Sequence, residues 1–463
     1  MSRLVAVSNR ISVPKRGAPP GGLAVGVLAA MKARGGLWFG WSGELREGPV
    51  AAPHVTTRGQ VQYATIDLGS EDHELYYLGF CNSAIWPLFH YFLDAARYRD
   101  EEHEAYLRVN RQFAERLAPL LDRDDRIWVH DYHLIPLAQE LRERGIRQPV
   151  GFFLHIPFPH IEALRALPSH AELMHQFMSY DLIGFQTRRD LDSFCSAVVE
   201  VFGAESLAPD GSIRACGRQL RLGVFPIGVD VEGIQAETVQ GLEKQSVQRM
   251  RRVAGMFGRR GIIGVDRLDY SKGLLERFEA YERFLEHYPE NLDKVSYVQI
   301  APLSRTEVPA YAEIRNSLEQ VAGRINGRFA DVDWTPIRYL NRNFPHDVLM
   351  GFMRQSRVAL VTPVRDGMNL VAKEYVAAQD PADPGVLVLS TLAGAADELT
   401  SALLVNPNDI QGVARAIEDA LQMPLAERRE RHQQMLVTLR RNDIHAWHGR
   451  FLEELESFAR YQP

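Results

Sequence analysis

The stretch Val358-Ala-Leu-Val-Thr-Pro-Val-Arg-Asp-Gly-Met-Asn-Leu-Val-Ala-Lys-Glu374 decides how the chain is read. Val358 to Thr362 is a short β-branched and apolar run, which predicts a buried strand. Pro363 cannot donate to a ladder, and Arg365-Asp366-Gly367 supplies turn chemistry. Asn369 to Gln379 has helix-forming composition. A strand, a tight glycine turn and a helix leave free backbone amides at the helix start, which is an anion site made from main chain alone. Asp366 stands at its mouth and Glu374 falls a turn or so inside the helix. One carboxylate at the lip and one behind suit a ligand with several hydroxyls. An ordinary βα turn with solvated carboxylates fits this stretch equally well, so the rest of the chain has to decide.

At 463 residues the chain is too long for one core, and two or three domains are expected. With 46% hydrophobic and 24% charged residues it has the composition of a soluble globular protein. A net charge of -6 gives no global attraction to nucleic acid or membrane, so a phosphate site has to be a local basic cluster. Cys81, Cys195 and Cys216 are far apart and form no CxxC, which fits a reducing compartment and a cytoplasmic location. The apolar run at the N-terminus is too short for a secretory leader. No apolar stretch is long enough to span a bilayer.

Read in order, strand signals alternate with helix signals. Leu4 to Val7 is a first strand, followed by Asn9-Arg10, a loop ending in Gly21-Gly22, and a helix from Leu23 to Lys32. That loop does not match GxGxxG, so a dinucleotide fingerprint describes it poorly. Gly36 to Gly43 and Glu74 to Tyr91 are rich in aromatic residues, most of them expected in the core; Tyr77 and Trp86 carry polar handles and are candidates to face a sugar. Ile127 to His130, Val150 to His155, Leu182 to Phe185 and Leu222 to Pro226 are further strands. Several of them deliver polar residues at their C-terminal ends, as strands of a doubly wound parallel sheet do. His130, His133 and His155 do not have HExxH spacing, so no metal is expected. A domain boundary is placed near residue 230. Beyond it, strands at Gly261 to Val265, Val295 to Ile300, Pro336 to Tyr339, Val358 to Thr362, Val386 to Leu389 and Ala402 to Val405 predict a second doubly wound domain, with a cleft between the two. Arg267 and Lys272 follow a buried strand on a loop that opens a helix, where two cations can neutralise a diphosphate. Arg305 repeats the pattern after the next strand. Trp447, Phe451, Leu455 and Phe458 share one face of a last helix, Ala446 to Tyr461.

In this order, several segments resemble the trehalose-6-phosphate synthase family, retaining glycosyltransferases of the GT-B architecture. They are Val7 to Arg10, Gly21-Gly22-Leu23, Gly36 to Gly43, Ile85-Trp86-Pro87, Trp128 to Leu134, Gly151 to Pro159, Asp266 to Gly273, Gln299 to Pro302 and Arg365 to Asp380. The resemblance covers the chain essentially end to end, at the length of the single-domain bacterial enzymes. It implies an α/β fold of two Rossmann-like domains facing a cleft: an acceptor domain over residues 1–230, a nucleotide-sugar domain over 231–445, and a helix over 446–463 that is a candidate to cross back to the first domain.

It also implies glucose transfer from a nucleotide sugar, by family default UDP-glucose with ADP- and GDP-glucose open, to glucose 6-phosphate. Residue by residue, it puts Arg267 and Lys272 on the donor diphosphate, with Gly22 approaching from the facing domain. Asp366 and the amides of Gly367, Met368 and Asn369 would take the donor glucose, Leu370 and Val371 would line the same turn, and Glu374 would hold the ribose. Phe344 and Leu349 would lie near the base, and His155 would touch the donor sugar. Arg10, Tyr77, Trp86 and Arg305 would bind the acceptor phosphate, Asp131 its sugar, and Trp41 would shape that pocket. Asp131, His155, Arg267, Lys272 and Asp366 make up the catalytic set so implied. No cofactor, metal, nucleic acid or membrane is expected, and homo-oligomerisation is left open. The competing readings are a related transferase with another acceptor such as glycerol 3-phosphate, a non-catalytic sugar-phosphate sensor, and a metal-dependent hydrolase using His130, His133 and Asp131.

Overall fold

The computed structural model describes residues 3–11, 22–48, 51–303 and 309–459. The chain forms two compact units, Met1–Ile227 with Ile444–Pro463, and Gly228–Asp443.

The first unit is built on strands β1 (Leu4–Arg10), β2 (Gly36–Arg46), β3 (His54–Arg58), β4 (Val61–Gly69), β5 (Arg126–His130), β6 (Val150–Phe153), β7 (Leu182–Phe185), β8 (Ile213–Ala215) and β9 (Arg218–Val224). Their order across the sheet is β3-β4-β2-β1-β5-β6-β7-β9-β8. Pairing is parallel throughout the middle, and only the edge pairs β3–β4 and β8–β9 are antiparallel. The central strands are short continuous apolar runs buried on both faces, as strands covered by helices on both sides have to be. The order reverses between β1 and β5, and the polar residues carried there, Arg10 and Asp131, sit where a doubly wound sheet opens a crevice.

The second unit holds β10 (Arg260–Val265), β11 (Val295–Ile300), β12 (Ile337–Leu340), β13 (Val358–Val361), β14 (Val386–Ser390) and β15 (Leu403–Val405), in the order β12-β11-β10-β13-β14-β15. All these pairings are parallel. The reversal lies between β10 and β13, so the loops after those two strands share one crevice.

Several stretches that the sequence reading left unassigned form regular elements, β3, β4 and β8 among them. Gly36 to Gly43 is a strand, β2. His73–Ile85 is a π-helix that runs on into the α-helical turn Trp86–Phe89, a wide coil that apolar periodicity at 3.6 residues does not signal. The polar run after Asp230 forms two helices, Val231–Leu242 and Gln245–Phe257.

The last helix, Ile444–Ala459, belongs to the first unit. Trp447, Phe451 and Leu455 are all buried along one face. The ring of Phe451 stacks on Trp128 of β5 with centroids 4.8 Å apart. A Cβ at Gly151 of β6 or Gly184 of β7 would lie 2.8 Å from that ring, so these two strand glycines make the seat for one aromatic side chain. The side chain of Phe458 lies outside the described residues. Truncating Phe451 empties the seat that Gly151 and Gly184 make for its ring. Phe451→Ala should cost the first unit ~3–5 kcal/mol, seen in hydrogen exchange as lost protection of β5, β6 and β7 with β10 to β13 unchanged.

Candidate active site

In the second unit the site starts from the crevice between β10 and β13. After β10 the chain makes a turn, Tyr270–Lys272, and enters the helix Leu274–His287 through Gly273. Gly273 has φ +63, and a Cβ there would lie 2.3 Å from the Thr362 carbonyl oxygen. Main chain therefore touches main chain, which only glycine permits. The Ser271 carbonyl accepts hydrogen bonds from the N–H of Val364 (2.9 Å) and of Arg365 (3.2 Å). On the other side, Asp366 N donates to Leu392 O (3.2 Å), and Ala395 N donates to Met368 O (2.8 Å). The turn after β13 is clamped from both flanks.

Asn369 then takes φ +90 and caps the helix Leu370–Ala378, its side-chain oxygen accepting from Ala372 N at 3.1 Å. A non-glycine residue in that region stores strain of the kind found at ligand clamps. Among the described residues no acceptor meets the N–H of Gly367, Met368 or Asn369. Leu370 and Val371 add the orphan amides of a helix start. The result is a row of donors with a helix dipole behind it.

The side chains around this row carry charge of both signs. Lys272 Nζ donates to Asp366 Oδ2 at 2.7 Å, and Asn369 Nδ2 donates to the same oxygen at 3.0 Å. The sequence reading places Lys272 on a phosphate and Asp366 on sugar hydroxyls; the structure joins the two. Arg267 is exposed and has no carboxylate partner among the described residues. Glu374 faces His346, whose Nε2 is 3.5 Å from Glu374 Oε1 and whose Nδ1 bonds Glu237. Phe344 packs edge-on against Phe352 (5.3 Å), with the Arg342 guanidinium 4.4 Å from its ring centroid, and Leu349 is half-buried on the helix His346–Arg354.

The sequence reading missed two residues here. One is Arg277, fully buried, which donates to Asp266 (2.5 Å), Gln299 (3.0 Å), Thr362 Oγ1 (3.0 Å) and the Lys272 carbonyl (3.1 Å). Its signal was its place on the apolar stripe Leu274, Arg277, Phe278 and Tyr281. The other is His346, whose partners Glu237 and Glu374 are remote in sequence.

In the first unit Arg10, Trp41 and Tyr77 come together. The Arg10 guanidinium lies 5.5 Å from the Trp41 ring centroid and packs on Gly43, where a Cβ would come within 2.6 Å of it. Arg10 is exposed and has no carboxylate partner among the described residues. Tyr77 is half-buried, 5.8 Å from Trp41 and 5.9 Å from the stacked ring of His133. His133 continues through Tyr132 (3.9 Å) to Trp86 (5.8 Å from Tyr132). Trp86 is only 5% exposed, so it acts mainly as a wall. Asp131 follows β5 at φ +74, and its Oδ1 accepts from His155 N at 3.2 Å. Gly22 is the first residue of the helix Gly22–Arg34. Arg305 lies outside the described residues.

Two crevices, one with a row of amides flanked by cations and the other with a cation over aromatic rings, fit phosphorylated sugars. The profile of glycosyltransferase family 20 matches residues 10–457. The chain belongs to that family. A trehalose-6-phosphate synthase of Klebsiella pneumoniae is 51% identical to this family 20 chain over 460 residues, covering 99% of the chain and 96% of the relative. Among solved structures, an α,α-trehalose-phosphate synthase (UDP-forming) from Burkholderia xenovorans in complex with glucose-6-phosphate is 50% identical, with a TM-score of 0.94 over 98% of this chain and 100% of the other. A structure from E. coli described as trehalose-6-phosphate bound with UDP-2-fluoro glucose is 49% identical, with a TM-score of 0.93 over 98% and 99%. Among the described residues of the family 20 chain, no group of three or more His, Cys, Asp and Glu could hold a metal ion, and no helix is long and apolar enough to cross a membrane.

Burial pulls the His346 imidazole down, but hydrogen bonds to Glu374 and Glu237 and their charges outweigh it and hold it up at about 9, against an ordinary 6.5. A folded-state value raised in this way contributes stability that is fully present below about 6.5 and is lost as pH rises through about 9. His346→Gln should therefore flatten the alkaline decline of the thermal midpoint. An unchanged pH profile would remove the ion pairs as its source.

Proposed function

We propose that the chain transfers glucose from UDP-glucose to glucose 6-phosphate, giving α,α-trehalose 6-phosphate and UDP with retention at the anomeric carbon. The observation that carries the reading is the clamped turn after β13, with its free amides and the cations Arg267 and Lys272 on the facing loop. The names of relatives about half identical over nearly the whole chain fix the substrates it is read for.

In this reading the second unit holds the donor. Arg267, Lys272 and the amides of Gly367 to Val371 take the diphosphate and glucose, Glu374 holds the ribose, and Phe344 and Leu349 lie near the base. Lys272 turns from Asp366 to phosphate, which frees the Asp366 carboxylate for sugar hydroxyls. The first unit holds the acceptor phosphate on Arg10 and Tyr77 and its sugar on Asp131, while Gly22 and His155 reach the donor.

The sugar C1–O bond breaks, and its electron pair goes to the departing phosphate oxygen. Arg267, Lys272 and the helix amides stabilise that growing charge. The acceptor hydroxyl oxygen bonds to C1 from the same face, and its proton passes to the departing phosphate oxygen. No protein nucleophile, cofactor or metal takes part. A cytoplasmic site of action fits three cysteines with no disulfide among them.

Arg267→Ala should lower kcat by ~10²–10³-fold with the fold intact; a normal rate would sink the diphosphate assignment. Arg10→Ala should raise KM for glucose 6-phosphate by about tenfold or more and leave KM for UDP-glucose unchanged. Nucleotide release from UDP-glucose in excess chelator tests the whole scheme. Release that depends on glucose 6-phosphate is expected. Release only with glycerol 3-phosphate would change the acceptor, and loss on chelation would bring in a metal.

A further inference from the structure

His130 ends β5 with no exposed surface. Its ring lies 4.4 Å from that of Trp128 and 6.3 Å from that of Trp447. Its Nδ1 is 3.2 Å from Nε2 of half-buried His155. Neither imidazole is charged: burial and the neighbouring His155 push His130 well down, and burial pushes His155 down to about 3.

Two neutral imidazoles that share one hydrogen bond have two possible proton arrangements. If His155 donates from Nε2, His130 accepts at Nδ1 and carries its own proton on Nε2. If His130 donates from Nδ1, His155 carries its proton on Nδ1. The Nε2 atom of His130 is buried and meets no hydrogen-bond partner among the described residues. A proton there would be an orphaned N–H, the rarest kind of unsatisfied buried group. The flanking indoles cannot relieve it, because an indole nitrogen donates and has no lone pair to accept with. Their own Nε1 atoms, on Trp128 and Trp447, are likewise buried with no partner. The flanking indoles thus bring unpartnered donors and no acceptor to His130, and nothing among the described residues accepts from its Nε2, which favours the arrangement with Nε2 bare and the proton on Nδ1.

We infer that His130 is a positioning residue: its Nδ1–H, donated to His155 Nε2, locks His155 as the Nδ1–H tautomer, so that His155 offers the donor sugar a hydrogen-bond donor and not a bare ring nitrogen. A second bond fixes the same residue from the main-chain side, where His155 N donates to Asp131. The inference rests on the reading that His155 touches the donor sugar.

Nitrogen-15 correlation spectra of the imidazoles in the full-length protein read the tautomers directly, without substrate. Nδ1–H on both His130 and His155 is expected; Nε2–H on His155 overturns the inference whatever the enzyme does. Kinetics supply the second test. His130→Phe should lower kcat/KM for UDP-glucose roughly tenfold and leave KM for glucose 6-phosphate alone. His130→Asn, which keeps an N–H near the place of Nδ1, should recover most of that loss. In a His155→Ala background, His130→Phe should add nothing. A His155→Ala variant with normal donor kinetics overturns the donor contact; a normal His155→Ala penalty with a fully additive His130→Phe effect overturns the role of His130 alone.

Discussion

The guanidinium of Arg277 sits inside the second unit, sealed from water, and the strand ends around the crevice between β10 and β13 are tied together through it. A buried charge is tolerable only when it is paired and its hydrogen bonds are met. Asp266 supplies the charge, and Gln299, Thr362 and the Lys272 carbonyl take remaining N–H groups. Those partners stand at the ends of β10, β11 and β13 and on the turn after β10. One planar side chain therefore sets the spacing of three strand ends at once, which a flexible ammonium could not do. Gly264 keeps the room open, since a Cβ there would lie 2.2 Å from Gln299 Oε1 and 2.9 Å from the guanidinium. Replacing Asp266 leaves a naked charge in the core, and replacing Gln299 or Thr362 leaves a buried N–H without its acceptor, so this network tolerates little change.

The first unit solves the same task with rings. Trp41, Tyr77, His133, Tyr132 and Trp86 form a continuous aromatic wall, and Arg10 lies against its end. Such a wall keeps a cation desolvated on one side while its other side stays free for an anion. Beside this wall Asp131 takes φ +74 directly after β5, and its carboxylate accepts from His155 N. Strain and left-handed backbone thus occur on both units at the residues the sequence singled out, Asp131 and Asn369.

The central strands were readable because strands buried on both faces are unbroken apolar runs, and such runs need no knowledge of their neighbours. Val358 to Thr362, Gly261 to Val265 and Val295 to Ile300 fall on β13, β10 and β11 to within a residue. The antiparallel edge strands were not readable: His54–Arg58 is mostly exposed and Ile213–Ala215 is three residues long, so neither carries a pattern. Cations after strands also stood out, because a loop that leaves a core strand opens toward a ligand in this sheet type. What sequence could not give was who faces whom. Lys272 and Asp366 are 94 positions apart, and Glu237 and His346 are 109 apart. Only the fold reveals that the first pair neutralises itself and that the second tethers the carboxylate at Glu374.

The return of the last helix to the first unit has a consequence for the order of synthesis. The strands β5 to β7 leave the ribosome early, but the face that Trp447, Phe451 and Leu455 cover stays bare until the whole second unit has been translated. At ~5–20 residues per second that interval is about ten to forty seconds. The second unit is continuous in sequence and has all its strands in hand before the first has its lid. The unit begun first is therefore the unit finished last, and the nascent chain carries an apolar sheet face, centred on Trp128 and Phe153, that a chaperone has time to find.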